Sequence, residues 1–390
     1  MLMEKGKIKE KKEKPRVLVS LTYFSPNVSG VTIYADILAR ELVKRGYEVG
    51  VICSQNKKDL PKQETIEGVK IFRVRVNFAL GKGVLMLGFP KEAWKQVKMA
   101  DVVNCQLPQI ESFVLAFWAK ILKKKLVITH HCEFGIDGPW TNIVTGILSY
   151  PFHLISYLLA DRIVSYTEDY AKHSIFLRHF KKKTVFVLPP VLVEKTAKEK
   201  EVEIGEKIGR DKDSKIIGYV GRVAWEKGLN FLLEALEKVN QKIPAKLVLV
   251  GPYEEVLGDN SYQKLKPLLE KQKDKVKLLG PLPHKEIGAF LKNCDLLVLP
   301  STNNLETFGI VQAEAMIMGV PVVASNLPGV RVPLQLTGMG EIAKVGDSND
   351  LAEKIVKVLK TSYSPLFSKK ARSIFCLERF VENYEEILRS

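Results

Sequence analysis

Twice along this chain, short β-branched apolar runs alternate with stretches whose apolar residues recur at helical spacing. In the first series "RVLVSLTYF" (16–24), "YEVGVICS" (47–54), "DVVNCQ" (101–106), "KLVITHH" (125–131) and "RIVSYT" (162–167) read as buried strands. Between the first two lies "VTIYADILARELVKRG", an amphipathic helix with Gly46 as its stop. Strand, loop, helix, strand is a βαβ unit, which predicts a parallel sheet covered by helices on both faces. A second series opens at "SKIIGYVGRV" (214–223) and continues through "AKLVLVG", "VKLLG", "DLLVLPS" and "PVVAS", again with helical stretches between the strands. The paired prolines and long charged run of "KTVFVLPPVLVEKTAKEKEVEIGEK" separate the two series.

The 390 residues therefore read as two doubly wound, Rossmann-like α/β domains, residues 15–193 and 194–371. Residues 1–14 are expected to be a charged flexible tail, and an amphipathic helix, or a pair, from about 372 to 390 is expected to end the chain. Doubly wound sheets bind ligands beyond the carboxyl ends of their strands, so the expected site is the cleft between the two domains.

Composition narrows the function classes. A net charge of +16 suits nucleic acid, an anionic membrane or a phosphorylated substrate. The basic residues are spread out and no nucleic-acid recognition motif occurs, so nucleic acid is not expected as a partner. The five cysteines are scattered without a CxxC and read as reduced core residues of a cytoplasmic protein. The lysine- and glutamate-rich start is not a secretory signal. The most apolar stretch, "TNIVTGILSYPFHLISYLLADRIV", is broken by Ser149, Pro151, His153 and Ser156, which predicts a buried or interfacial segment in place of a membrane span.

Four features carry chemistry. In "LETFGIVQAEAMIMG" (305–319) two acids, Glu306 and Glu314, flank a mostly apolar run. A helix beginning near Thr307–Gly309 leaves Glu306 on the loop ahead of it. The amides of Phe308, Gly309 and Ile310 then become unpaired donors that suit phosphate or sugar oxygens. Glu314 falls on the same mouth and can accept two hydroxyl hydrogen bonds, as from a ribose diol. In "GYVGRVAWEKGL" a strand end delivers Arg222 and a short loop brings Lys227 to a helix start, two cations suited to a departing diphosphate. In "SPNVSGV" Gly30 opens a helix after the first strand. In "ITHHCEF" His130 and His131 are adjacent and should point to opposite faces, one to the cleft and one to the core. They have no spaced partners, and no metal site is expected. Asp211 and Asp213 read as a solvated loop.

Together these residues resemble the family 4 retaining glycosyltransferases of the GT-B fold, from about Arg16 to the last helix. "ETFGIVQAEAMIMGVPVVASNLPGV" is similar to that family's two-glutamate motif in its full context, and "GRVAWEKGL" to its arginine and lysine loop. The resemblance implies two domains facing across a cleft, with the C-terminal helix crossing back to the first. It implies a nucleotide-diphosphate sugar as donor substrate, with no cofactor and no metal. Glu306 would contact donor-sugar hydroxyls, the amides of Phe308 to Ile310 the sugar and diphosphate, and Glu314 the ribose. Arg222 and Lys227 would stabilise the departing diphosphate, Gly30 would lie beneath it, and His131 would stand near the donor sugar. Leu282, in "LGPLPHKEI", would pack on the base. Ser29 stands where the family often has a first glycine, and Gln106 where many members have histidine.

The implied reaction is transfer of a hexose to an acceptor hydroxyl with retention. The aromatic, aliphatic and lysine-bearing segments of the first domain point to a lipid-linked acceptor and an anionic membrane surface, at the inner face of the membrane. A sugar-nucleotide isomerase or a non-catalytic sugar-nucleotide binder of the same fold is the alternative.

Overall fold

The computed structural model describes residues 14–390 except 28, 81–82, 134–139, 195–196, 211–212 and 255–260, and gives backbone only at 80, 140–142 and 145. The strands of the first half are β1 (Val17–Ser20), β2 (Val49–Gln55), β3 (Gln63–Ile66), β4 (Val69–Arg75), β5 (Phe78–Leu80), β6 (Gly83–Leu85), β7 (Val102–Leu107), β8 (Lys125–His130), β9 (Arg162–Ser165) and β10 (Thr184–Phe186). β5 and β6 form a separate hairpin. The others make one sheet in the order β10-β9-β8-β7-β1-β2-β4-β3, parallel throughout except for β3 against β4.

The second half contributes β11 (Lys215–Val220), β12 (Ala245–Val250), β13 (Val276–Gly280), β14 (Leu296–Leu299), β15 (Val322–Ser325) and β16 (Gly340–Ala343). They form an all-parallel sheet in the order β13-β12-β11-β14-β15-β16. β1, β7, β14 and β15 are buried along their whole lengths, and β8 everywhere but at Lys125, which is why they read as runs without alternation. The short edge strands β3, β10 and β16 lack that signal.

Each half has one place where the chain order of strands reverses. In the first it lies between β1 and β7, in the second between β11 and β14. Onward connections diverge there, and the loops at the carboxyl ends part to leave a crevice. The helix Lys198–Ile208 packs on the second half, where Asn293 Nδ2 donates to the Glu201 carbonyl at 2.9 Å. That packing supports our proposed division of the chain at 193/194.

Trp140–Leu159 is one helix that passes through Pro151, and Phe113 and Phe152 pack at 4.8 Å between ring centres. Among the described residues no helix is long and apolar enough to cross a membrane. The C-terminal segment divides at Phe375–Cys376. Helix Pro365–Ile374 stays on the second half, and only Leu377–Arg389 crosses to the first. None of the five cysteines is in a disulfide; burial pushes the Cys53 and Cys105 thiols up to about 12, which leaves them inert.

The crossing helix is held by both packing and charge. Phe380 and Tyr384 are buried against Tyr34. Glu385 pairs with Arg45 at 2.7 Å and Lys14 at 3.3 Å. We expect Phe380→Ala to cost about 3–5 kcal/mol through the cavity it leaves. Urea unfolding checks this: the midpoint should fall at unchanged slope. A loss below about 1 kcal/mol would mean that the helix is not anchored by this ring.

Candidate active site

The second crevice is built from the loop after β11 and the loop after β14. Thr302 stitches them together: its amide donates to the Glu226 carbonyl at 2.9 Å and its hydroxyl to the same oxygen at 3.2 Å. Lys227 then reaches across, and its Nζ donates to Glu306 Oε2 at 2.6 Å, with both side chains less than a fifth exposed. Arg222 follows β11 directly. Its Nη2 donates to the buried Glu226 at 2.9 Å, while the guanidinium remains 42% exposed. Both cations thus arrive already paired with carboxylates. Among the described residues nothing else bonds the Glu306 side chain, so Oε1 is free to accept a hydroxyl.

The helix Ile310–Met318 begins where the sequence predicts, with Gly309 as its left-handed N-cap at φ +72°. A Cβ there would lie 2.3 Å from Leu299 Cδ2, so only glycine fits the turn. The amides of Phe308, Gly309 and Ile310 donate to no described residue. Three free N–H groups at a helix start favour an anion. One turn further on, the buried Glu314 accepts a 2.9 Å hydrogen bond from His284 Nε2 through Oε1. His284 opens the helix His284–Lys292 two residues after Leu282, at the carboxyl end of β13. The sequence reading passed over it, although a histidine following Pro283 at a strand's carboxyl edge was a usable signal.

The two histidines of the first half do not part company as expected. β8 ends at His130, so strand alternation does not govern His131, and both rings are buried. His131 Nε2 lies 2.7 Å from Gln106 Oε1 and its Nδ1 faces the Tyr166 hydroxyl. An amide oxygen only accepts, so Nε2 carries the hydrogen and Nδ1 accepts from Tyr166. Burial pushes the His131 ring down to about 3, so it is neutral. Gln106, which stands in place of a histidine, is therefore the group that fixes this tautomer. Tyr166 in turn packs edge-on against Phe308 at 6.1 Å between ring centres. Among the described residues, that tyrosine links His131 to the second crevice.

Gly30 opens the helix Gly30–Lys44, capped by Ser29 Oγ accepting from the Thr32 amide at 3.2 Å. A Cβ on Gly30 would meet nothing within 4 Å, so packing does not demand glycine there. The structure thus brings Arg222, Lys227, Glu306, Phe308, Gly309 and Ile310 to one crevice. It pairs Glu314 with His284 beside Leu282, and leaves Gly30 on the first half. Asp211 lies outside the described residues, as do 134–139 and 255–260. Asp213 borders a depression of about 580 Å³ at the amino ends of β11 and β14, the edge opposite the crevice.

Glu314 raises the pKa of His284 by accepting its hydrogen bond, against the opposing effect of burial. A raised folded value means that the pair's stabilisation is complete below about pH 6.5, the ordinary imidazole value, and is lost as pH rises through the raised one. Glu314→Gln should therefore flatten the fall in stability above about pH 6.5, read as unfolding midpoints across a pH series. Equal slopes for both proteins would show that the pair does not titrate this way.

Known proteins resemble this chain in sequence and in fold. One family, described as Glycosyl transferases group 1, matches residues 201–373, and another, Glycosyltransferase Family 4, matches residues 28–192. An uncharacterised glycosyltransferase of Methanocaldococcus jannaschii is 29% identical over 330 residues, covering 80% of each chain. The GPI3 subunit of the Saccharomyces cerevisiae phosphatidylinositol N-acetylglucosaminyltransferase is 20% identical over 94% of this chain and 81% of its own. Among solved structures, Anabaena HepE in complex with UDP and glucose superposes with a TM-score of 0.76 at 19% identity, covering 96% of this chain and 99% of that one. Two doubly wound halves, a C-terminal helix crossing back and these matches over both halves place the chain among the family 4 glycosyltransferases of the GT-B fold, enzymes that take a sugar from a nucleotide donor.

Proposed function

We propose that this enzyme moves a hexose from a nucleotide-diphosphate sugar to an acceptor hydroxyl with retention of configuration, and that the acceptor is lipid-linked. The observation that carries the first part is the free amide turn at Phe308–Ile310 beside the Lys227–Glu306 pair. The complex of HepE with UDP and glucose supports the same reading for a chain of this fold.

In this reading the diphosphate lies against the three amides, with the helix start at Gly30 below it. Arg222 and Lys227 gain most as the leaving group separates, because its charge grows in the transition state. They supply the charge that a metal would otherwise provide. Glu306 Oε1 takes a donor-sugar hydroxyl while Oε2 stays on Lys227, so one carboxylate sets both sugar and cation. Glu314 Oε2 takes the ribose, Leu282 packs on the base, and His131 acts on the donor pocket through Tyr166. The acceptor hydroxyl attacks from the face that the diphosphate leaves, and the departing phosphate oxygen takes its proton. No carboxylate forms a bond to the sugar.

The lipid-linked acceptor follows from one face of the first half. The helix Trp140–Leu159 carries no charged residue, and Val144, Ile147, Leu148, Ile155 and Leu158 are all exposed, Ile147 and Leu148 by more than 60%. The neighbouring helix Ser112–Ile121 exposes Phe117 and Ile121. Trp118 Nε1 donates to the Pro90 carbonyl at 3.2 Å, which joins it to helix Phe89–Met99. That third helix exposes Trp94 and Met99 among Lys91, Lys95 and Lys98. An uncharged apolar face rimmed by lysines suits the interface of an anionic bilayer. Largely buried cysteines without disulfides fit a cytoplasmic location at its inner face.

Lys227→Ala should lower kcat by about 10²–10³ in single-donor assays, as for loss of one contact to developing charge. An unchanged kcat would remove Lys227 from the chemistry. In flotation with phosphatidylserine-containing vesicles, wild-type protein should rise with the lipid. Ile147→Glu with Leu148→Glu should stay below while still releasing nucleoside diphosphate when a soluble acceptor is supplied. Wild-type protein that remains entirely in the soluble fraction would refute the membrane reading.

A further inference from the structure

The two halves meet directly behind the donor turn, and there the contact is charged. Asp169 stands in the first turn of the first-half helix Glu168–His173 and turns its carboxylate onto the second-half loop 326–331. Oδ2 accepts from the Gly329 amide at 2.9 Å and from Arg331 Nε at 2.9 Å, and Oδ1 accepts from Arg331 Nη2 at 2.6 Å. Three donors from one loop thus converge on a single carboxylate of the other half. A forked, charge-assisted contact of this kind fixes direction as well as distance. Both side chains are about three-quarters covered, 23% and 24% exposed, so solvent screens the pair less than an open surface pair.

What the clamped loop touches gives the contact its meaning. Arg331 Nη1 also donates to Asn326 Oδ1 at 3.1 Å, which closes the loop on itself. Gly329 is left-handed, at φ +79°, and a Cβ there would lie 2.1 Å from the Thr307 carbonyl oxygen and 3.1 Å from Tyr170 Cβ. Its backbone is therefore pressed between the first half and the residue that precedes Phe308. Gln312, inside the helix that begins at Ile310, donates to the Val330 carbonyl at 2.9 Å. On the other flank Tyr166 holds the Phe308 ring. The donor turn is thus supported from behind by a loop whose own position is set from the opposite half of the molecule.

We infer that Asp169 is a positioning residue for donor binding: by gripping Gly329 and Arg331 across the two halves, it holds loop 326–331 against Thr307 and keeps the Phe308–Ile310 amides aimed at the diphosphate. The inference rests on the reading of that turn as the donor site. It adds that docking of the halves and affinity for the donor are one coupled event, because the same loop serves both. Asp169 touches no donor atom in this account.

The test is titration calorimetry of UDP, GDP and ADP into the full-length protein, carried on with whichever binds tightest. Asp169→Ala and Arg331→Ala should each weaken binding by about tenfold, a loss in the range for residues that act through a neighbour. The double variant should be no weaker than either single one, since both remove the same contact. Asp169→Glu, which keeps the charge, should recover part of the loss. In steady-state assays the donor KM should rise while the acceptor KM holds. Asp169→Asn preserves volume and serves if the alanine variants unfold. Variants that bind within about twofold of wild type, or a double variant whose loss is the product of the singles, overturn the inference alone. Wild-type protein that binds none of the three nucleotides overturns the donor-site reading and this inference with it.

Discussion

The ion pair between Lys227 and Glu306, 2.6 Å long, is the interaction on which the rest of the site depends. It joins two loops that leave adjacent strands, β11 and β14, at the point where their onward connections part company. A doubly wound sheet opens a crevice there as a matter of topology. Topology alone does not keep the crevice at a useful width. The stitch from Thr302 to Glu226 and the bridge from Lys227 to Glu306 do that, and they place a cation, a carboxylate and three free amides around one small volume. Because each cation already has a carboxylate partner, binding of a diphosphate need not begin from an uncompensated cluster of positive charge. In the proposed reaction a newly arriving anion would share Lys227 and Arg222 with Glu306 and Glu226, and the balance would shift as charge builds on the leaving group.

The first half contributes through packing and through a continuous polar chain. Tyr34 and Thr129 each lie 2.8 Å from the hydroxyl of Tyr384, on the crossing helix. Thr129 Oγ1 accepts from Asn104 at 3.0 Å, and Gln106 joins the same group and passes the chain on to His131 and Tyr166. Every member is buried, so each has to find its partner inside the protein. The chain ends on a tyrosine that packs against Phe308. The crossing C-terminal helix thus closes the fold and also joins the group of side chains behind the donor turn.

Much of this could be read from sequence, and the reasons are physical. Central strands of a parallel sheet are buried on both faces, so they appear as unbroken apolar runs and declare both halves at once. The helix Ile310–Met318 was legible because a glycine stands where the backbone must turn left-handed, between two acids and ahead of an apolar run. Side-chain pairing was not legible. Lys227 and Glu306, or Asp169 and Arg331, lie far apart along the chain, and nothing local marks one as the other's partner. Burial of both His130 and His131 escaped for a similar reason: strand alternation stops at His130, and the tyrosines that cover the rings come from other segments of the chain. His284 was missed because a single histidine at a helix start carries no periodic signal.

The central claim is that a nucleoside diphosphate is held where the loops after β11 and β14 meet. Hydrogen–deuterium exchange, compared with and without a bound nucleoside diphosphate, tests it most directly. Protection should appear at the amides of Phe308, Gly309 and Ile310 and in the segment from Arg222 to Lys227, and should be weak at the amino ends of the same strands. Protection concentrated around Gly205, Arg210 and Asp295, with the amides ahead of Gln312 exchanging as before, would contradict the account.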